Sequence, residues 1–240
     1  MKEPLKTLVW DLPIRLFHWL LVVSFFTSAF ISLVLGDDSG LFAYHAILGL
    51  IIGLMVFMRV IWGFVGSRYA RFSSFTFSPK SVLEYLGGAL IGRNTHHVGH
   101  NPAGAWAIFA MLGLLVGLVL SGLLMGLGLE FVEDIHELFA YAMLGVVAVH
   151  ILGVMAHVVR HRENIVASMY HGHKAVDEKE GIKSPHFVAA FVFCVVCFSW
   201  SYGLFANFDA ATQTTKLPLI GWTVQLGELE DEHDEHDDDH

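Results

Sequence analysis

The stretch "HELFAYAMLGVVAVHILGVMAH", residues 136–157, decides the fold class of this chain. It is apolar along nearly its whole length, and a helix of about 20 such residues crosses a hydrocarbon core of about 30 Å. His136 and His150 are fourteen residues apart. At about 1.5 Å and 100° per residue, their rings lie about 21 Å apart and project from nearly one helix face. An imidazole in hydrocarbon needs a partner, so the stretch predicts a membrane helix with polar sites at two depths.

The composition agrees with a membrane protein. Of the 240 residues, 55% are hydrophobic and 15% are charged, and the mean hydropathy is +0.57. This balance excludes a disordered chain and favours a polytopic membrane protein over a soluble domain. Five apolar stretches are long enough to span a membrane, near residues 14–35, 41–63, 103–127, 131–158 and 186–206. The predicted fold is all-α, with a four-helix transmembrane bundle and a fifth transmembrane helix.

The basic residues predict the orientation of the chain. Twelve Lys and Arg lie on the side of the N-terminus, one (Lys216) lies on the opposite side, and Arg59 lies within a span. Cytoplasmic loops are enriched in Lys and Arg. We therefore expect a cytoplasmic N-terminus, a C-terminus on the outer side, and the cytoplasmic membrane as the location.

The connecting segments and the tail carry weaker signals. Ser78 and Pro79 open a predicted short surface helix at residues 78–92, because Ser caps helices and Pro favours their first turn. We expect a flexible linker after the fourth span.

Nine of the 23 acidic residues lie in residues 228–240. Such a run is typical of a solvated tail, with docking of a basic partner or loose metal capture as alternatives.

Cys194 and Cys197 form a C-x-x-C within the fifth span. Covalent attachment of a c-type haem would need a histidine next, and Phe198 stands there instead. We interpret the two thiols as packing residues.

Four histidines lie within predicted spans, and their depths suggest two pairs. His45 and His136 meet near the outer side, while His150 lies at the depth of His18 near the cytoplasmic side. Depth alone leaves His157 open as the partner of His18. Facing imidazoles at two depths suit two hexacoordinate b haems. A zinc or copper site would gather three or four ligands at one depth, and a proton relay would need carboxylates in mid-span.

Arg59 lies fourteen residues after His45, hence on nearly the same helix face at the cytoplasmic level. We expect it to bind a haem propionate, with snorkelling to the interface as the alternative. Gly49 and Gly53 are expected to leave room for a flat macrocycle.

Four segments resemble the prokaryotic cytochrome b561 family, which is related to the b subunits of nickel–iron hydrogenases. They are "WDLPIRLFHW" (10–19), "HAILGLIIGLMVFMRVIWGFVGSRYARF" (45–72), "GHNPAGAW" (99–106) and "HELFAYAMLGVVAVHILGVMAHVVRHRENIV" (136–166). The resemblance covers about residues 8–172. It implies a four-helix core with two b haems and axial pairs His18/His150 and His45/His136. It further implies that His157 lies near a haem propionate or a quinone.

The resemblance also implies a function. The chain would link the quinone pool of a bacterial inner membrane to a periplasmic c-type cytochrome or another redox partner. We expect this redox partner to be attracted by the negative charge of the acidic tail and of Glu130, Glu133 and Asp134. The alternatives are a superoxide:quinone oxidoreductase, the b-type anchor subunit of a hydrogenase-like enzyme, and a metal transporter. No residue is assigned a catalytic role, and nucleic acid is not an expected partner.

The predicted organisation follows from these observations. Residues 1–172 form the di-haem domain and 173–185 a cytoplasmic linker. Residues 186–206 form the fifth transmembrane helix, and 207–240 form a periplasmic acidic, His-rich tail.

Overall fold

The computed structural model describes residues 6–91 and 97–227. Seven α-helices occur in this part of the chain: α1 (Leu12–Phe30), α2 (Phe42–Val65), α3 (Pro79–Leu90), α4 (Pro102–Gly126), α5 (Glu133–His161), α6 (Ile165–His171) and α7 (Phe187–Ala206). A π-helical turn, Ile31–Leu35, continues α1. Four short strands are β1 (Lys6–Leu8), β2 (His173–Ala175), β3 (Thr214–Lys216) and β4 (Thr223–Gln225).

Five of the helices, α1, α2, α4, α5 and α7, are long and apolar enough to cross a membrane. The prediction of an all-α polytopic membrane protein is confirmed. We call the end of the bundle where α1, α4 and α7 begin the basic end. The end where α2 and α5 begin is the acidic end.

Polar side chains cap α1 and α4 at the basic end. The Asp11 carboxylate accepts a hydrogen bond from the Ile14 N–H at 2.9 Å, and the Asn101 side chain accepts one from Gly104 at 2.7 Å. Each cap satisfies a main-chain donor that has no partner within the helix. Ser78 caps α3 in the same way, accepting from the Ser81 N–H at 3.2 Å. The predicted surface helix is therefore confirmed.

The bundle core lies between α1, α2, α4 and α5, and α7 packs against its side. Its buried side chains include Phe17, Ile52, Met55, Leu115 and Met143. From α7, Phe193 and Cys197 join this core. Cys197 is thus a buried packing residue, whereas Cys194 is exposed on the helix surface.

The segment that follows α5 is ordered, so the expectation of a flexible linker is wrong. β2 pairs antiparallel with β1, with Lys174 opposite Thr7. The Tyr69 hydroxyl donates a hydrogen bond to the Glu180 carbonyl at 2.7 Å. The N-terminal strand supplies the main-chain partners that this polar segment needs, and strands of three residues have too little sequence pattern to reveal it.

The chain after α7 also differs from the expected tail. β3 and β4 form an antiparallel hairpin that packs on the acidic end of the bundle. Leu217, Val224 and Leu226 of this hairpin are buried with Ala43, Ile47 and Leu204. The segment up to residue 227 is therefore part of the fold, and the acidic run 228–240 lies outside the described residues.

Candidate functional site

His45 and His136 face each other at the acidic end of the bundle. His45 lies in the first turn of α2, and His136 lies in the first turn of α5. Their ring centroids are 6.3 Å apart with an interplanar angle of 75°. Two imidazoles on opposite sides of one metal, with bonds of about 2 Å, have centroids about 6 Å apart. The spacing therefore fits a metal held between the two rings.

The hydrogen bonds of these rings leave one nitrogen of each available. His45 Nδ1 lies 3.0 Å from the Ser28 carbonyl oxygen. A carbonyl only accepts, so Nδ1 carries the proton and Nε2 has a free lone pair. His136 Nδ1 lies 2.9 Å from Ser121 Oγ, whose own hydroxyl donates to the Gly117 carbonyl at 2.8 Å. Both rings are oriented as metal-binding histidines are, through a second hydrogen bond on the opposite nitrogen.

Sequence reasoning missed the two serines that orient these rings. Ser28 is 6% exposed and Ser121 is 4% exposed, and both lie in apolar helices. The sequence does show a serine hydroxyl within an apolar span, and such a hydroxyl needs a hydrogen-bond partner there. The sequence does not show which residue of the neighbouring helix lies opposite the serine, so it does not identify that partner.

His18 and His150 lie together at the basic end. Each is partly buried, and His150 acts electrostatically on His18. In the part of the chain that the structure describes, His18 Nδ1 is buried without a hydrogen-bond partner, and the ring stands edge-on to Trp19 with centroids 5.0 Å apart. His18 thus has a ring nitrogen that none of the described side chains or main-chain groups satisfies.

His157 is engaged in a charged network instead. Its Nε2 lies 3.4 Å from Glu163 Oε2, and its ring stacks on His161 with centroids 4.4 Å apart. Glu163 also pairs with Lys174 at 3.2 Å. The basic end therefore holds a carboxylate next to His157, and sequence reasoning did not identify that neighbour.

Arg59 is buried at the basic end, with 5% of its surface exposed. Its guanidinium lies 5.0 Å from the centre of the Phe72 ring, and Nη1 has no hydrogen-bond partner among the described residues. A buried guanidinium with an unused donor is costly. The residue is therefore suited to an anionic group.

The two glycines of α2 differ in their surroundings. A Cβ at Gly49 would meet nothing within 4 Å, whereas one at Gly53 would lie 2.7 Å from Val119 Cγ1 of α4. Open space for a macrocycle therefore fits Gly49. Gly53 instead serves the close approach of α2 and α4, so its expected role was wrong.

The donor set fits haem rather than a clustered metal ion. Within residues 6–91 and 97–227, no group of three or more His, Cys, Asp or Glu could hold a metal. The four candidate iron ligands lie two at each end of the bundle. Two imidazoles per iron are the axial ligands of a hexacoordinate b haem.

Comparison with known proteins gives the same family. The family model described as prokaryotic cytochrome b561 matches residues 9–172. A probable Ni/Fe-hydrogenase B-type cytochrome subunit of Rhizobium leguminosarum bv. viciae is 25% identical over 215 residues, which is 72% of this chain and 90% of that protein. The corresponding protein of Rhodobacter capsulatus is 24% identical, over 69% of this chain and 80% of that protein.

A third relative is covered less completely. The probable Ni/Fe-hydrogenase 1 B-type cytochrome subunit of Escherichia coli (strain K12) is 28% identical over 48% of this chain, and the match spans 57% of that protein. No solved structure matches the chain significantly. The family model covers well over half of the chain, and the five apolar helices agree with it. The chain belongs to the prokaryotic cytochrome b561 family, whose members are membrane haem proteins of electron transport.

Proposed function

We propose that the chain carries electrons across the bacterial inner membrane, between the quinone pool and a redox partner on the outer side, through two b haems. The observation that carries this proposal is the geometry of His45 and His136. Their rings are 6.3 Å apart, and each Nδ1 has its own hydrogen-bond partner. Two such oriented rings are what a hexacoordinate haem requires.

His45 and His136 would hold the haem at the acidic end, and His18 and His150 the haem at the basic end. The contact of His157 with Glu163 supports His150 as the second ligand there, because His157 Nε2 already has a partner. Each haem, when bound, would supply one-electron redox chemistry at the pair of histidines that holds it.

The orientation follows from charge. Lys and Arg are concentrated in the segments at the basic end, which supports a cytoplasmic basic end and a periplasmic acidic end. The unused donor of Arg59 supports its assignment to a propionate.

We assign the quinone to the basic end, near His157 and the segment 66–72. His157 and Glu163 form a titratable pair there, 3.4 Å apart. Oxidation of a quinol releases two protons along with its two electrons, so the reaction needs proton acceptors. The imidazole and the carboxylate are suited to accept them.

The acidic end is suited to a basic partner such as a periplasmic c-type cytochrome. Gly227, the last described residue before the acidic run, lies next to Phe42. The Phe42 ring stacks on His45 with centroids 5.3 Å apart. Gly227 thus lies one side chain away from a proposed haem ligand, and the charge of the sequence that follows it would steer a cationic protein towards the acidic end.

A second candidate is the cytochrome subunit of a hydrogenase-like enzyme. The names of the relatives favour it, since they are described as probable Ni/Fe-hydrogenase B-type cytochrome subunits. In that case electrons would enter at the acidic end and leave to quinone at the basic end.

Reconstitution in liposomes tests the proposal. Purified protein is incorporated into vesicles that enclose oxidised cytochrome c, and a quinol is added. We expect b-type haem bands to appear and the enclosed cytochrome c to become reduced in vesicles whose protein presents its acidic end to the lumen. The His136→Ala variant is the matched control and should stop transfer. Equal reduction by wild type, by this variant and by empty vesicles would refute the proposal.

A further inference from the structure

Five side-chain atoms are buried without a hydrogen-bond partner in the described part of the chain, and all belong to the basic end. They are Arg15 Nε, His18 Nδ1, Arg59 Nη1, Ser67 Oγ and His100 Nδ1. Buried polar atoms in folded proteins nearly always have partners, and an unpaired one costs free energy. Their concentration at one end indicates a polar ligand there. His100, in the segment GHNPAGAW, has no role in the proposed ligand set.

Aromatic rings fix the position of His100. It lies two residues before α4, and its ring centroid is 4.8 Å from that of Trp10 and 4.5 Å from that of Phe75. Burial lowers the pKa of His100 to about 3, and the nearby charges of Arg59 and Lys174 add to this effect. The imidazole is therefore neutral at physiological pH, and one of its nitrogens carries an N–H that can donate.

Arg59 borders the same aromatic cluster. Its guanidinium lies over Phe72, and the Phe72 and Phe75 rings are 5.9 Å apart. Arg59 forms no ion pair within the described residues. Asp11 is close enough to act on it electrostatically, but both Asp11 oxygens already accept hydrogen bonds, from Ile14 and from Trp62.

Lys174, the other buried cation near His100, is already paired. Its Nζ lies 3.2 Å from Glu163 Oε1 and donates to the Val98 carbonyl at 3.1 Å. Of the two cations that act on His100, Arg59 is therefore the one that keeps an unused guanidinium N–H within the described residues, and His100 adds an imidazole nitrogen of its own. This combination suits a carboxylate, which accepts several charge-assisted hydrogen bonds.

We infer that His100 and Arg59 form a carboxylate-binding site, and that its ligand is a propionate of the haem at the basic end. This inference rests on the proposed function and adds His100 as a positioning residue. His100 is not an iron ligand in this account, because its ring is held between Trp10 and Phe75 outside the helices. His18, within α1, remains the partner of His150.

Redox titration of purified two-haem protein tests the site. His100→Phe keeps an aromatic ring between Trp10 and Phe75 but removes the N–H. We expect it to retain both haems and both low-spin spectra. At a fixed applied potential, the ratio of oxidised to reduced basic-end haem should rise about threefold. This corresponds to a shift of about −28 mV in its midpoint potential for a one-electron couple. The reason is that the negative charge of the propionate is less compensated without the His100 N–H, and this charge stabilises ferric iron.

Matched variants separate this role from a merely structural one. His100→Gln keeps an N–H donor and should bring the potential back towards wild type, whereas His100→Leu, a second donor-free variant, should shift it as Phe does. Arg59→Gln should shift the same haem further, since it removes a charge. His171→Leu, at an exposed histidine of the same end, should leave both potentials unchanged.

Two results would overturn the inference. One is an unchanged potential in both donor-free variants. The other is loss of the basic-end haem from His100→Phe while His18→Ala keeps it, which would make His100 the iron ligand. Retention of both haems by His18→Ala and by His150→Ala would instead refute the ligand assignment of the proposed function, whatever the His100 variants do.

Discussion

Ser121 should control the haem at the acidic end more strongly than Ser28 does. Each serine hydroxyl oxygen lies 2.9 Å from Nδ1 of a proposed ligand, but His45 Nδ1 has the main-chain carbonyl of the same serine as a second acceptor. His45 Nδ1 donates to the main-chain carbonyl of Ser28 at 3.0 Å, which survives a change to alanine. His136 Nδ1 donates to the side-chain oxygen of Ser121 at 2.9 Å, which does not.

The magnitude follows from that single hydrogen bond. Loss of the partner that orients a metal-binding histidine costs about 10–100-fold in affinity. The Leu118 carbonyl remains as a neighbouring acceptor, so we expect about tenfold weaker haem retention for Ser121→Ala, or about 1.4 kcal/mol. Without this hydrogen bond the His136 imidazole becomes a less basic ligand and stabilises ferric iron less. The midpoint potential of the haem at the acidic end should therefore rise.

The assay is haem content and redox titration of both variants in detergent. Ser28→Ala is the matched control and should stay within about twofold of wild type in retention, because a hydrogen bond to the main chain persists. A larger effect for Ser28→Ala than for Ser121→Ala would refute the assigned hydrogen bonds. If both variants show the haem content and the midpoint potential of the wild type, the serines do not have the role assigned to them.

Three further outcomes are expected. Gly53→Ala should destabilise the protein by about 1–3 kcal/mol in thermal unfolding, because the new Cβ meets Val119, whereas Gly145→Ala, at an exposed glycine of α5 with open space around it, should be neutral. Thr215→Val removes a fully buried hydroxyl that donates to a carbonyl of α7 at 2.8 Å and should cost about 1–3 kcal/mol. Deletion of residues 228–240 should slow reduction of a basic cytochrome c at low salt and leave the rate at high salt unchanged; an unchanged rate at low salt would exclude docking by the tail.

The spanning helices were predictable because hydrocarbon imposes a length and an apolar composition on each one. The facing of His45 and His136 was also predictable, since helix rise and alternating direction fix their depths. The hairpin after α7 was not, because its strands are three residues long and its burial depends on Leu204 and Ile47 from distant helices. His100 escaped notice for the same reason, as only the folded loops bring Trp10 and Phe75 around it.

The most direct test of the central claim is the haem content of the four histidine variants. Dithionite-reduced wild-type protein should give b-type bands and two haems per chain. His45→Ala and His136→Ala should each lose the same haem, identified by its midpoint potential, while His18→Ala and His150→Ala should each lose the other. Depletion of one shared haem by His18→Ala and His136→Ala, or a single haem in the wild type, would contradict the account.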